Sequence, residues 1–204
     1  MSAIDERAKS ILDFWFLPED DPDHGKPRDI WFAEGRSIDG LVRDVFLADH
    51  EAAAAGAFDH WRDDADSCLA LVLVFDQFPR HMFRDTARAY ATDPLALATA
   101  EHAVARGFDR ECPVFKRNFF YLPFTHAEDL AAQRRSVELR EALPDSYDNK
   151  ERSVLRAVEH MEVIERFGRF PHRNDIVGRE STAEELAFLD ADPDAWFAKY
   201  RKRA

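Results

Sequence analysis

The sequence predicts an all-α domain, and three observations lead there. Glycine and proline together number 17 in 204 residues while alanine alone appears 30 times, a balance that favours long helices over turns. Apolar residues recur at spacings of three and four along most of the chain. Only one run, LALVLVF at 69–75, has the continuity of a buried strand. No second such run exists to pair with it, and a lone strand could not satisfy its hydrogen bonds.

Taken in order, Ser2 and Asp5 offer caps for a helix whose apolar positions are Ile4, Ala8, Ile11, Leu12 and Trp15, closed by Pro18. Residues 18–30 carry Pro18, Pro22, Gly25 and Pro27 and form a loop. Ser37 opens a helix through Ile38, Leu41, Val42, Val45 and Phe46 that runs to Gly56. Residues 66–77 form a central helix, capped by Asp66 or Ser67, apolar all round and ending before Pro79. Thr92, Asp93 and Pro94 start the next helix, and Gly107 ends it. A short helix is expected at 113–121. Thr125 with Glu128 forms a capping box that opens a helix reaching to Pro144. The longest periodic segment spans 148–167 and stops at Gly168. Ser181 with Glu184 caps a further helix, and Asp192-Pro193 starts the last one, at Trp196, Phe197 and Tyr200. The total is about eight helices in one domain over 1–204, and helix pairs of roughly 30–45 residues are compatible with a helical-repeat stack whose repeat signature has decayed.

Composition narrows the function classes. At 46% hydrophobic and 33% charged residues, the chain can bury a core and is no disordered segment. A net charge of −12 opposes attraction to phosphate backbones, so neither nucleic acid nor a membrane surface is an expected partner. Residues 1–100 hold 20 acidic and 10 basic groups, residues 101–204 hold 20 and 18; an anion-binding surface therefore belongs to the second half. Cys68 and Cys112 stand apart without a CxxC pair. The N-terminus, MSAIDERAKSILDFWF, lacks the basic start of a signal peptide, and no apolar run approaches the ~20 residues of a membrane span. A cytoplasmic location is expected.

Three segments place polar residues with ligand-binding or catalytic chemistry among aromatics and prolines at helix ends: FDQFPRHMF at 75–83, FFYLPFTHAED at 119–129, and HMEVIERFGRFPHRN at 160–174. Arginine forks and imidazoles converging on one spot make a receptor for a carboxylate or another small anion. The chain has no GxSxG elbow, phosphate loop, GxGxxG, HExxH or ExxH pair. No metal and no cofactor are expected. The acidic run Glu19, Asp20, Asp21 and Asp23 lacks the ligand spacing of a calcium loop, and KYRKR at 199–203 suits a helix C-terminus. Trp15, Phe16, Trp31 and Phe32 are expected in the core.

DFWF at 13–16, DQFPRHMFRDTARAYATD at 76–93, NFFYLPFTHAED at 118–129, ERFGRFPHRND at 165–175 and STAEELAFL at 181–189 resemble the bacterial family known as domain of unknown function 924 (DUF924). The resemblance covers nearly the whole chain in the same order. It implies an all-helical, tetratricopeptide-like right-handed stack in one domain, and it implies no activity. Its polar motif positions fall here on Asp76, Gln77, Arg80, His126, Glu128, Arg166, Arg169, His172, Arg173 and Asn174.

Each of these has a structural reading beside the functional one. Asp76 can accept a salt bridge from a neighbouring arginine, the capping box alone explains Glu128, and His160 suits a hydrogen-bonded core position. His126 is not needed by that cap. The 166–174 cluster places three arginines and one histidine on a short turn, which either binds a ligand or locks helix ends. The expected function is a binding module with a groove lined by Arg80, Arg166, Arg169, Arg173 and His126, supported by Gln77 and Asn174, holding a peptide carboxylate or small anionic ligand. The alternative is a hydrolase or transferase acting on a carboxylate- or phosphate-bearing small molecule. In it His126 or His172 is the general acid or base and Asp76 orients it.

Overall fold

The computed structural model describes residues 4–31 and 35–191, and these are all-helical. The α-helices in chain order are α1 (Glu6–Phe16), α2 (Asp39–Ala54), α3 (Ala65–Met82), α4 (Asp93–Arg106), α5 (Phe108–Glu111), α6 (Val114–His126), α7 (Leu130–Glu141), α8 (Lys150–Phe167), α9 (Asn174–Val177) and α10 (Ala183–Ala191). Short 3-10 turns join several of them, among them Ala87–Tyr90 and Pro171–Arg173. Ser2, Phe32, the helix expected after Asp192 and the basic 199–203 segment lie outside the described residues.

Helix α3 is the axis of the molecule. It packs against α1, α2, α4 and α6, and from Ser67 to Pro79 every side chain is buried. Asp64, rather than Asp66 or Ser67, caps it by accepting the Ser67 N–H at 2.9 Å. The helix was expected to end before Pro79 but runs through it to Met82. A proline inside a helix removes the N–H that would bond the carbonyl four residues earlier. That carbonyl is Phe75 O, and the Thr92 hydroxyl donates to it at 2.7 Å. Thr92 therefore stands at the N-cap position of α4 without capping it.

Helix α6 likewise continues past the expected 121, through Pro123 to His126. This overturns the Thr125–Glu128 capping box. Thr125 lies inside α6, where its Oγ1 meets Ser136 Oγ at 2.7 Å, and Asp129 is the cap of α7, accepting the Ala132 N–H at 2.8 Å. The fully buried Gln133 side chain closes the end of α6 by donating to the carbonyls of Thr125 and Ala127, both at 2.7 Å. Helix α8 ends at Gly168 as expected, in the left-handed conformation with φ +68°. The capping box of α10 is one residue later than expected: Thr182 Oγ1 accepts the Glu185 N–H, and Glu185 Oε2 accepts the Thr182 N–H.

Two apolar clusters result. The large one gathers α1 to α4, α6 and α7, with Trp15, Phe16, Trp61, Phe75, Phe78 and Phe120 almost sealed; Trp31 packs at its edge. The small one joins Val163, Ile164 and Phe170. Cys68 and Cys112 are free and buried, and burial pushes both thiols up to about 12. No helix among the described residues is long and apolar enough to cross a membrane.

Candidate functional site

The seam between the two clusters is polar. Asp76, near the C-terminal end of α3, is fully buried. Its Oδ1 lies 2.7 Å from His126 Nδ1, at the last residue of α6, and 3.3 Å from Arg80 Nη1, one turn further along α3. Gln77 Nε2 donates to Oδ2. Burial alone would raise the Asp76 carboxyl, but the Arg80 guanidinium and the His126 ring hold it well below the usual carboxylate range. An ionised carboxylate can only accept, so His126 Nδ1 carries a proton and donates. Burial lowers the His126 pKa and Asp76 offsets this only in part. The ring is neutral, its Nε2 is an acceptor, and the side chain is 18% exposed.

Arg80 also grips Asp93 at the start of α4 with two parallel bonds, 2.9 and 3.1 Å. Burial opposes its charge, and Asp76 and Asp93 together overcome that and raise its pKa. The Thr92 bond to Phe75 O matters here, because it ties the α3 end that carries Asp76 and Arg80 to the α4 start that carries Asp93.

Arg173, from the Pro171–Arg173 turn, reaches the same carboxylate more loosely, with Nη1 3.5 Å from Asp93 Oδ2. Its guanidinium lies 4.7 Å from the Tyr90 ring centre and 4.5 Å from that of Phe170. Tyr90 packs on the large cluster and Phe170 belongs to the small one, so Arg173 bridges the seam. The residue is 8% exposed, and its Nε is buried without a hydrogen-bond partner. Burial lowers its pKa.

Two further histidines border Phe170. His160 on α8 lies 5.7 Å from that ring and His172 lies 5.5 Å from it. Burial pushes His160 down to about 3. Burial, with the charge of Arg173 beside it, depresses His172 as well.

The predicted site residues thus divide. Asp76, Gln77, Arg80, His126 and Arg173 come together, with His172 at the margin. Arg166 and Arg169 do not join them, because they turn towards α10: Arg166 pairs with Glu184 at 2.8 Å and Arg169 forks onto Glu185 at 2.6 and 2.9 Å. Asn174 donates to Ser181 Oγ and Glu185 Oε2. Glu128, with its cap role removed, accepts the Phe170 N–H at 2.8 Å and two bonds from Arg179, which anchors the 168–179 segment onto the start of α7. Tyr90 and Asp93 were missed. Asp93 resembles an ordinary first-turn helix acid, and only its position in the TARAYATD motif could have singled it out. A cavity of about 350 Å³ opens elsewhere, lined by Glu101, Val104, Ala105, Phe124 and Arg135, and none of the predicted site residues lines it. No group of three His, Cys, Asp or Glu side chains among the described residues could hold a metal ion.

A solved structure is similar to this chain throughout: the protein of unknown function ATU0120 from Agrobacterium tumefaciens, 44% identical, covering 91% of this chain and 98% of its own, with a TM-score of 0.79. No curated protein matches. The model of the family described as "Bacterial protein of unknown function (DUF924)" matches residues 11–192. From the first helix to the last described one, then, the chain belongs to the bacterial DUF924 family.

Proposed function

We propose that the chain is a binding module, a tetratricopeptide-like helical stack that holds a small anionic ligand, a carboxylate or phosphate, against Arg173, Arg80 and His126. The packing of α2 on α3, α3 on α4, α6 on α7 and α7 on α8 supports the stacked arrangement. Arg173 carries the ligand reading. Arg80 takes both oxygens of Asp93, whereas Arg173, beyond its two ring contacts, has one ion-pair contact at 3.5 Å and an Nε that donates to nothing. A buried guanidinium with unfilled donors is costly in a low-dielectric interior, and an anion would supply the missing acceptors. Arg166, Arg169 and Asn174 stay outside the proposal, because Glu184 and Glu185 engage them.

The test is thermal unfolding in the presence of phosphate, sulfate, acetate and a short peptide with a free C-terminal carboxylate. At least one should raise Tm with concentration, with a stabilisation of ~2.7 kcal/mol at 100 times Kd, and Arg173→Gln should remove the rise. A flat response across the panel refutes the reading.

One observation favours a second reading, a hydrolase or transferase on a carboxylate- or phosphate-bearing small molecule. His126 receives its orientation from buried Asp76 through Nδ1 and keeps Nε2 as a base, the arrangement that general acid–base catalysis uses. Turnover of an anionic ester panel that disappears in His126→Gln would support it, and turnover unchanged by that substitution would refute it.

A further inference from the structure

The four charged side chains along the seam already balance. Arg80 lies against Asp76 and grips Asp93, and Arg173 reaches Asp93 at 3.5 Å, so two guanidiniums face two carboxylates. A simple anion added at Arg173 would leave one negative charge in excess. Asp76 is fully buried there, and the Arg173 and Asp93 side chains are only 9% and 16% exposed. An uncompensated charge in such surroundings is strongly unfavourable, whereas a ligand of zero net charge keeps the balance.

The positions of Arg173 and Asp93 favour the same class of ligand. Arg173 Nε is buried and donates to nothing. The Tyr90 and Phe170 rings, centred 4.7 and 4.5 Å from the guanidinium, wall it without supplying a charged acceptor. A ligand carboxylate would fill that N–H. It would also lie beside Asp93, whose Oδ2 is 3.5 Å from Nη1 of the same guanidinium, and two carboxylates so placed in a site shielded from water repel each other. Asp93 has acceptor capacity left: its two oxygens offer about four positions, and Arg80 fills one on each, at 2.9 and 3.1 Å. A positively charged donor next to the ligand's carboxylate would take one of these and turn the repulsion into attraction.

We propose that the ligand is an α-amino acid, with its carboxylate on the Nε–H edge of Arg173 and its ammonium on Asp93. In this class one carbon atom bears both charged groups, which matches two protein groups that touch each other. The proposal rests on the anion-binding reading and narrows it from any small anion to a zwitterion whose charges are adjacent. A peptide C-terminus, whose nearest main-chain ammonium is at least one peptide unit away, gains nothing from Asp93.

Calorimetric titration at neutral pH tests it, with glycine and leucine each beside its N-acetyl derivative, and with acetate and glycylglycine. At least one free amino acid should bind about tenfold or more tightly than its N-acetyl derivative and than acetate, the scale of one close charge pair. Asp93→Asn, which keeps the size of the side chain, should abolish that difference without weakening acetate, and Arg173→Gln should weaken every ligand. Acetate or an N-acetyl derivative binding as tightly as the free amino acids overturns the zwitterion proposal and leaves the anion reading standing. So does an advantage that survives Asp93→Asn. Failure of all six to bind overturns both. If Asp93→Asn does not fold, glycylglycine decides in the unsubstituted protein: it should bind like acetate, and binding equal to that of the free amino acids overturns the proposal.

Discussion

Replacing Thr92 by Val removes one hydroxyl from a buried site while keeping its shape. In the structure that hydroxyl is the donor that replaces the N–H missing at Pro79, 2.7 Å from Phe75 O. Thr92 is 7% exposed, so the abandoned carbonyl has little access to water. An unsatisfied buried acceptor costs ~1–3 kcal/mol, which for a chain of this size corresponds to a fall in Tm of ~2–12 °C. The effect should depend on Pro79. In a Pro79→Ala background residue 79 has an N–H, the helix bond to Phe75 O can form, and Thr92→Val should cost under ~0.5 kcal/mol. Urea unfolding of the two single variants, the double variant and the parent gives a cycle with an expected coupling of about 1 kcal/mol or more. Equal losses from Thr92→Val in both backgrounds would refute this account of how α3 tolerates its proline.

Stability should fall as pH drops below neutral. An unfolded histidine binds its proton near pH 6.5, whereas folded His160 does not until about 3; the folded state loses ground progressively between those values and keeps its full stability above them. At 1.36 kcal/mol per pH unit the interval is worth ~5 kcal/mol, which solvent at the half-buried ring reduces to ~2–3 kcal/mol. Urea titrations at pH 7.5 and 5 should show part of this loss, and His160→Gln should reduce it, the remainder coming from the other depressed histidines, His126 and His172. Glu185→Ala, which strips Arg169 of its partner and opens the α10 capping box, should cost ~1–3 kcal/mol. Glu184→Ala, at an exposed pair, should cost under ~0.5 kcal/mol by the same urea assay. Cys68 and Cys112, buried and held protonated, should resist a thiol reagent at pH 8 and both react after unfolding.

The positions of most helices were legible because their cause is local. Apolar spacing marks α1, α2, α4 and α8, and Gly107 and Gly168 end α4 and α8 through a left-handed residue that favours glycine. What local pattern could not show is compensation from a distance. Pro79 looked like a helix end because its rescue comes from Thr92, and α6 also runs on through a proline, Pro123. Thr125 with Glu128 matched a capping box by composition alone, while adjacent Ser181 and Thr182 allowed two registers and the structure uses the second.

The site was half legible for the same reason. Asp76, Arg80, His126 and Arg173 were named from motif chemistry, and they meet. Arg166 and Arg169 share the motif but face another helix, where Glu184 and Glu185 meet them. Their direction depends on where α10 packs, which is a tertiary fact.

An anion seated at Arg173 is the central element of the proposed function. Its most direct test follows the side-chain NMR resonances of Arg173 Nε–H and the His126 ring while acetate or phosphate is added. Saturable shifts of both, with one dissociation constant and with the Arg166 resonance unmoved, are the predicted result. Anion-induced shifts confined to exposed arginines such as Arg166, or no saturable shift at Arg173, would contradict it.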